Sequence, residues 1–384
     1  MRELLRRLNV WFPGEFRAIA DAPLHARADT TVVKATHKVR PVLGVVANAV
    51  FNNMWFHAQA AGEVVVKAII TDDKDRYKRA KREMNLFRMF HENKRICDMI
   101  NGKAVDATNG MFAMCACVLH HYEIGTVQTL LDSGNPEFSK RPNASAHPCL
   151  RFKHAVDMAK DVLAGLECMH QMRFVHRDIK PANICVEMLP GTTQLRFVII
   201  DLGAAVSMEV LSRVPSSAGA AAASAVGFTG QQTTLAGLKL PLGTVLFMSP
   251  EHIDEDRTVD GRSDLFSLGV TMYKCMSGRF PFIQLNPLHD DKRRALKLIL
   301  AYASSAEAAP VNVRTTGEHG RAAEVVCGTI AKSLRKLPAE RFENASVMKE
   351  QLESVGRCRV WMGLLMCKRY TFRNMHARVA FTGM

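Results

Sequence analysis

The chain has 384 residues, of which 48% are hydrophobic, and its formal net charge at neutral pH is +14. This length accommodates one large domain or two ordinary ones, and no apolar run reaches the length of a membrane span. The ten cysteines form no CxxC pair, so the pattern predicts reduced, packed thiols rather than a disulfide framework or a metal site. Such cysteine usage is typical of a cytoplasmic or nuclear protein.

The first segment, residues 1–39, mixes aromatic and charged residues and predicts an N-terminal extension. Strands are predicted between residues 40 and 70, and one of them, Val64–Ile69, carries Lys67 in an otherwise apolar run. A lysine inside an apolar strand is costly unless it has a charged partner. Glu83, sixteen positions on in a stretch of strong helix formers, is the expected partner.

The middle of the chain alternates apolar elements with short polar motifs. A strand is predicted over Met111–Leu119, and a helix with one apolar face is predicted over Leu150–His170. That helix leads into His176–Asn183, which reads HRDIKPAN. Two apolar strands with a turn at Pro190-Gly191 then form a predicted hairpin, which ends in Asp201-Leu202-Gly203.

Three further motifs follow. Residues Gly243–Glu251 read GTVLFMSPE, Asp264–Val270 read DLFSLGV, and Arg341 ends a Leu-Pro-Ala-Glu-Arg run. In this order, and together with HRDIKPAN and DLG, they resemble the motifs of eukaryotic-type protein kinases of the Ser/Thr type. The resemblance covers residues 40–355 and implies the α+β, bilobal protein kinase fold with ATP bound between the lobes.

The resemblance also implies how the domain is divided. Residues 40–121 would form a small lobe, an antiparallel β-sheet with one helix, and residues 122–355 a larger, mainly helical lobe. Residues 201–251 would be the activation segment. The basic tail, residues 356–384, has no match.

Several residues acquire implied roles in phosphoryl transfer, a reaction that depends on positioning and charge neutralisation. Asp178 would orient the acceptor hydroxyl and take its proton. Lys180 would sit beside the moving phosphoryl group, and Thr244 would bridge toward Asp178 and Lys180. Asn183 and Asp201 would hold Mg²⁺, which prefers oxygen ligands.

Four residues would form the ATP site. Lys67, paired with Glu83, would hold the α- and β-phosphates, and Val65 stands where the family usually has alanine packed on adenine. The phosphate-covering hairpin is expected over residues 43–51. The family has three glycines in this hairpin, and only the first of them has a counterpart here, Gly44. Glycines matter in such a hairpin because backbone amides must approach the phosphates closely.

Structural support is implied for five residues: His176, Arg177, Glu251, Asp264 and Arg341. Residues His176–Asn183 resemble the catalytic loop of the family, and Asp264 would brace the backbone of this catalytic loop. Glu251 and Arg341 would form a buried ion pair, and breaking such a pair costs about 3–5 kcal/mol.

The activation segment carries the candidate phosphosites Thr233 and Thr234. In the family, an arginine at the position of Arg177 can bind a phosphate placed on this segment. Ordinary loop hydroxyls remain an equally simple interpretation of either threonine.

Basic residues cluster in three places, at residues 74–82, 292–297 and 357–378. Each cluster fits the solvated face of a helix. The clusters could also attract an acidic protein, nucleic acid or anionic lipid, although the sequence carries no clear nucleic-acid-binding module.

Three functions remain open at this point. The first is a Ser/Thr protein kinase that transfers the γ-phosphoryl group of Mg-ATP to protein hydroxyls. The second is a kinase-like scaffold, or pseudokinase, which is favoured by the departures at Val46, Ala49, Phe51 and Val65. The third is a small-molecule kinase, against which Lys180 and the GTVLFMSPE motif argue. A thermal shift with Mg-ATP separates the first two, because a ligand that binds only the native state stabilises it.

Overall fold

A computed structural model describes residues 16–18, 26–27, 30–37, 45–51, 64–71, 73–106, 113–140, 149–209, 244, 246–253, 259–281 and 320–361. The candidate phosphosites Thr233 and Thr234, Gly44 and the basic cluster at residues 292–297 lie outside them. None of the described helices is both long and apolar enough to span a bilayer.

The small lobe is built on a seven-stranded sheet. Its strands are β1 (Phe16–Ala18), β2 (Ala26–Arg27), β3 (Thr30–His37), β4 (Val45–Phe51), β5 (Val64–Thr71), β6 (Met99–Val105) and β7 (Ala113–His120). The order is β1-β3-β4-β5-β7-β6, with β2 also paired to β3. All neighbours are antiparallel except β4 and β5, which run parallel with Val50 opposite Lys67.

Two features of this sheet differ from expectation. The expected hairpin over residues 43–51 is instead one continuous strand from Val45, because its β-branched residues favour a strand and it contains no glycine for a turn. Strands β1 to β3 pair with this sheet although they lie in the predicted extension, residues 1–39. The domain boundaries at residues 40 and 355 remain predictions.

One helix, α1 (Lys74–Met89), packs on the sheet. Asp73 caps its N-terminus by accepting hydrogen bonds from the backbone N–H groups of Asp75 and Arg76. The helix buries an apolar face that includes Met84 and Phe87, so that Glu83 on the same side is carried toward β5.

The large lobe is mainly helical. It contains α2 (Val127–Ser133), α3 (Phe152–Gln171), α4 (Pro250–Ile253), α5 (Gly261–Ser277), α6 (Gly320–Ser333) and α7 (Ala345–Trp361). Short strand pairs join β8 (Ser139–Lys140) to β9 (Cys149–Leu150), β10 (Phe174–Val175) to β13 (Val206–Ser207), and β11 (Ile184–Met188) to β12 (Leu195–Ile199). The bilobal α+β fold is therefore confirmed, as are the predicted long helix and the β11–β12 hairpin.

Helix α5 lies at the centre of the large lobe. Nearly all its side chains are buried, which is the pattern of a helix packed on every side. Asp260 caps its start, and Gly278 ends it with a φ of 72°, a left-handed conformation that suits glycine. Gly269 packs so closely on α6 that an added Cβ would lie 2.1 Å from the Ser333 hydroxyl oxygen. This helix is the rigid element from which the candidate site is positioned.

Candidate active site

One buried carboxylate holds the backbone of the loop between β10 and β11. Asp264, fully buried in the first turn of α5, accepts hydrogen bonds from the backbone N–H groups of His176 and Arg177, each at 2.8 Å. Its Oδ2 also contacts His170 Nε2 at 2.8 Å. Arg177 has a φ of 69°, uncommon for a residue other than glycine, so these bonds stabilise a strained backbone.

The two carboxylate oxygens of Asp178 differ in their hydrogen bonds. Oδ2 accepts hydrogen bonds from Lys180 Nζ at 2.7 Å and Asn183 Nδ2 at 2.8 Å. Oδ1 is buried and has no hydrogen-bond partner in the part of the chain that the structure describes. Burial raises the pKa of Asp178 above its usual range, although Lys180 acts in the opposite direction. An oxygen so placed is ready to accept a proton or a hydrogen bond from a bound molecule.

The ammonium of Lys180 joins two segments that are distant in sequence. Besides Asp178, it donates to Thr244 Oγ1 at 2.9 Å. Thr244 is buried and lies at the start of the segment that leads into α4. Lys180 therefore fixes this segment next to the carboxylate of Asp178.

Lys67 connects the two lobes. Its ammonium lies 2.6 Å from Glu83 Oε1 on α1 and 3.2 Å from Asp201 Oδ1, just after β12. Burial alone would lower the pKa of Lys67, but the two carboxylates outweigh it and raise the pKa, so the lysine is charged at neutral pH. Val65, buried two positions earlier on β5, lies beside this cluster.

Two oxygen-bearing side chains lie at neighbouring ends of the hairpin. The backbone N–H of Ile200 donates to the carbonyl of Asn183 at 3.1 Å, so Asn183 stands beside Asp201. Asn183 donates its amide N–H groups to Asp178, which leaves the amide oxygen for another partner. Asp201 is ionised, since Lys67 and the backbone N–H of Gly203 outweigh burial and lower its pKa. Carboxylate and amide oxygens are ligands that suit Mg²⁺, so this donor set fits the ion.

The guanidinium of Arg177 points toward α4 and contacts His252. Burial and the nearby charge of Arg82 lower the pKa of Arg177 to about 10, so it stays charged at neutral pH. Arg82 itself donates to the carbonyl of Gly203 at 3.4 Å. Two guanidinium groups thus lie close enough to act on each other's charge beside the segments that carry Gly203 and His252.

A buried ion pair ties α4 to the turn before α7. Arg341 makes two parallel contacts with Glu251, at 2.6 and 2.7 Å, and also donates to the carbonyls of Arg262, Arg335 and Lys336. Burial would raise the pKa of Glu251, but the hydrogen bonds from Arg341 outweigh it and lower the pKa. The structure thus contains the ion pair that the sequence predicts.

Most of the predicted site residues lie together. Three groups are close in space: Lys67 with Glu83 and Asp201; Asp178 with Lys180, Asn183 and Thr244; and Asp264 with His176 and Arg177. Sequence reasoning missed His170 and His252. His170 stands six positions before His176, at the end of a helix that leads into the loop, and this position was the available indication.

Comparison with known proteins decides which family this arrangement represents. Residues 49–352, most of the chain, match the family described as the protein kinase domain. The chain belongs to the protein kinase family. Two serine/threonine-protein kinases are similar to this kinase-family chain: PksC of Streptomyces coelicolor, 29% identical over 197 residues, and PknB of Mycobacterium tuberculosis H37Rv, 27% identical over 203 residues.

A third relative of this kinase domain is Pkn3 of Myxococcus xanthus, a serine/threonine-protein kinase that is 28% identical over 203 residues. The three matches cover 51–53% of this chain. They cover 26–31% of the relatives, so the chain spans less than a third of the length of these curated proteins.

Proposed function

We propose that the chain is a Ser/Thr protein kinase that transfers the γ-phosphoryl group of Mg-ATP to hydroxyls of protein substrates. The observation that carries the proposal is the state of Asp178. One of its oxygens is bound by Lys180 and Asn183, and the other is buried without a described partner. Such a carboxylate can accept the hydrogen bond of an incoming hydroxyl, which matches the positioning that phosphoryl transfer requires.

The reaction divides among the residues as follows. Asp178 Oδ1 orients the acceptor hydroxyl and takes its proton as the oxygen attacks the γ-phosphorus and the bond to ADP breaks. Lys180 and Thr244 place positive charge and a hydroxyl beside the moving group. Lys67, held by Glu83, contributes a fixed ammonium to the phosphates.

Asn183 and Asp201 would hold the magnesium ion, which when bound supplies neutralising charge to the phosphates. Asp201 serves this role as an ionised carboxylate, and Asn183 serves it with its amide oxygen. The names of the relatives, all serine/threonine-protein kinases, support a Ser or Thr acceptor. The candidate phosphosites Thr233 and Thr234 remain part of the proposal, with Arg177 as their proposed partner.

The basic helix α1 supports a second part of the proposal, an acidic protein partner. Lys74 and Lys78 are exposed there, beside Arg76 and Arg79. Such a surface raises the rate of encounter with acidic molecules and loses this effect in high salt.

The proposal is tested by phosphate transfer from labelled Mg-ATP to a generic Ser/Thr protein and to the chain itself. Transfer by the wild type should be abolished in Asp178→Asn and retained in Asp157→Asn, a carboxylate on α3 paired with Lys153 on the surface. Both variants are checked for folding by thermal melting. Mapping the labelled residues examines Thr233 and Thr234.

The same proteins distinguish the scaffold. A folded wild type that transfers no phosphate, and whose melting temperature does not rise with millimolar Mg-ATP, would refute the kinase and favour a pseudokinase. Transfer to small hydroxyl compounds but to no protein would favour a small-molecule kinase instead.

A further inference from the structure

Helix α5 presents one face along the catalytic loop. Asp264 holds the backbone of His176 and Arg177, and two turns further on the hydroxyl of Thr271 lies 3.4 Å from the carbonyl oxygen of Ile179. Lys274 follows Thr271 by three residues. It therefore leaves the same face of the helix about 4.5 Å further along the axis. Lys274 therefore lies about one turn beyond the point at which α5 contacts the loop that carries Asp178.

The ammonium of Lys274 rests on an aromatic pair. It lies 4.2 Å from the centre of the Phe280 ring. Phe280 in turn packs edge-on against Phe247, with ring centres 5.3 Å apart. Phe247 lies three residues after Thr244, which accepts a hydrogen bond from Lys180, so the aromatic pair connects Lys274 to the segment that contacts Lys180.

Lys274 makes no ion pair with any carboxylate in the part of the chain that the structure describes. Its side chain is partly buried, and this burial lowers the pKa of Lys274. The charge of Asp132 on α2 acts in the opposite direction and favours the charged form of the lysine. Asp132 already accepts a hydrogen bond from Gln128 Nε2 at 2.7 Å. An ammonium that has lost water and gained only an aromatic ring is stabilised further by an added anion.

Three carboxylates of the site are already bound. Glu83 is paired with Lys67, Glu251 with Arg341, and Asp264 with the catalytic loop. Asp132 is the described carboxylate whose charge favours the charged form of Lys274, and it makes no ion pair with the lysine.

We propose that Lys274 is a specificity residue that binds the carboxylate of an acidic side chain in the protein substrate, close to the phosphorylated Ser or Thr. The inference rests on the proposed kinase function and adds a substrate class to it. The contact is direct and charge-dependent, and Phe280 and Phe247 fix its place. A phosphorylated side chain offers similar chemistry, and peptides distinguish the two groups.

The experiment uses serine peptides in which each neighbouring position in turn carries Glu, Lys or Gln. The readout is the ratio of kcat/KM for the Glu peptide to kcat/KM for the Lys peptide. The wild type should prefer Glu at one or two positions by about fivefold, the size expected for a partly exposed ion pair. Phosphoserine at the preferred position shows whether a second negative charge adds to the effect.

Three variants decide the role of Lys274. Lys274→Arg should keep the preference, Lys274→Met should remove it, and Lys274→Glu should reverse it in favour of Lys peptides. The matched control is Lys332→Glu on α6, an exposed lysine that lies 4.5 Å from the centre of the Phe342 ring and should keep the wild-type ratio. Because the readout is a ratio, a change in overall rate does not affect it, and Lys274→Met remains informative if charge reversal prevents folding.

The outcomes separate the two claims. If the wild type phosphorylates peptides but shows no preference for Glu, or if the preference survives Lys274→Met, the role of Lys274 is wrong and the kinase proposal stands. If the wild type phosphorylates no peptide or protein, the kinase proposal fails and the specificity proposal fails with it.

Discussion

Arg177 donates two hydrogen bonds to one atom of His252: its Nε and Nη2 lie 3.0 and 2.8 Å from His252 Nε2. Only a neutral imidazole with an unprotonated Nε2 can accept both bonds. Burial and the charge of Arg177 lower the pKa of His252 to about 3, against a weaker opposite effect of Asp264. The catalytic loop and α4 are thus joined by a contact that requires an uncharged histidine.

This contact predicts a pH dependence of stability. In the unfolded chain His252 titrates near 6.5, so between that pH and about 3 the unfolded state binds more protons than the folded state. The free energy of unfolding should therefore fall as the pH falls below about 6.5. In His252→Gln, which keeps an acceptor but does not titrate, the slope should be shallower by up to about 1.4 kcal/mol per pH unit. Urea unfolding at a series of pH values measures both slopes, and identical slopes would contradict the assignment.

Removing Lys67 should abolish nucleotide binding and also destabilise the fold. Lys67→Met leaves Glu83 and Asp201 buried without their shared cation, which costs about 3–5 kcal/mol. Transfer should fall at least about 100-fold, as for other fixed charges at a reacting group. The double variant Lys67→Met with Glu83→Gln should recover part of the stability and none of the transfer.

The two effects of Lys67 are measured by urea unfolding and by the rise in melting temperature with Mg-ATP. The control is Lys81→Met on α1, since Lys81 pairs with Asp106 at 3.2 Å on the surface. A normal Mg-ATP shift in Lys67→Met would disprove its role at the phosphates.

Breaking the pair between Glu251 and Arg341 should destabilise the large lobe. Glu251→Gln removes the negative charge opposite the buried guanidinium of Arg341 and one of the two side-chain oxygens that it binds, and the expected loss in free energy of unfolding is about 3–5 kcal/mol. Asp157→Asn, which breaks the surface pair with Lys153, should cost less than about 1 kcal/mol. Denaturant unfolding of the two variants gives the comparison, and a cost below that of the surface pair would overturn it.

A methyl group at Gly269 should force α5 and α6 apart. Its Cβ would lie 2.1 Å from the Ser333 hydroxyl oxygen and 3.0 Å from the Ser333 Cβ, so Gly269→Ala should cost about 1–3 kcal/mol. Adding Ser333→Gly should recover part of that loss. Gly328→Ala on α6 meets nothing within 4 Å and should instead stabilise the helix by about 0.5–1 kcal/mol. Thermal melting of the four proteins checks the order.

The charged contacts of the site were predictable because a charge inside an apolar segment requires a partner. Lys67 in an apolar strand pointed to Glu83. The contact of Asp264 with the loop that carries Asp178 was instead implied by the resemblance of its motif to the protein kinase family. The contact between Arg177 and His252 could not be predicted in this way. A neutral histidine next to an arginine has no charge pattern, and 75 residues separate the two in sequence.

The sheet was less predictable than the site. An apolar strand buries the same side chains whether its neighbour runs parallel or antiparallel, so the sequence of β4 does not reveal that it runs parallel to β5. Strands β1 to β3 are short or rich in polar residues, and for that reason residues 1–39 read as an extension. The motifs that match the kinase family lie mostly in the large lobe. Because that lobe is mainly helical, these motifs say little about how the strands of the small lobe pair.

The contacts that complete the site span long stretches of chain. Lys67 and Asp201 are 134 residues apart, and Glu251 and Arg341 are 90 apart. During synthesis, the segment that carries Thr244 and Glu251 leaves the ribosome well before Arg341 does. A nascent chain therefore contains Lys67, Asp178 and Glu251 before the arginine that pairs with Glu251 has been made. Chaperones that meet the growing chain at this stage encounter a site whose charged residues are present but whose buried ion pair has not yet formed.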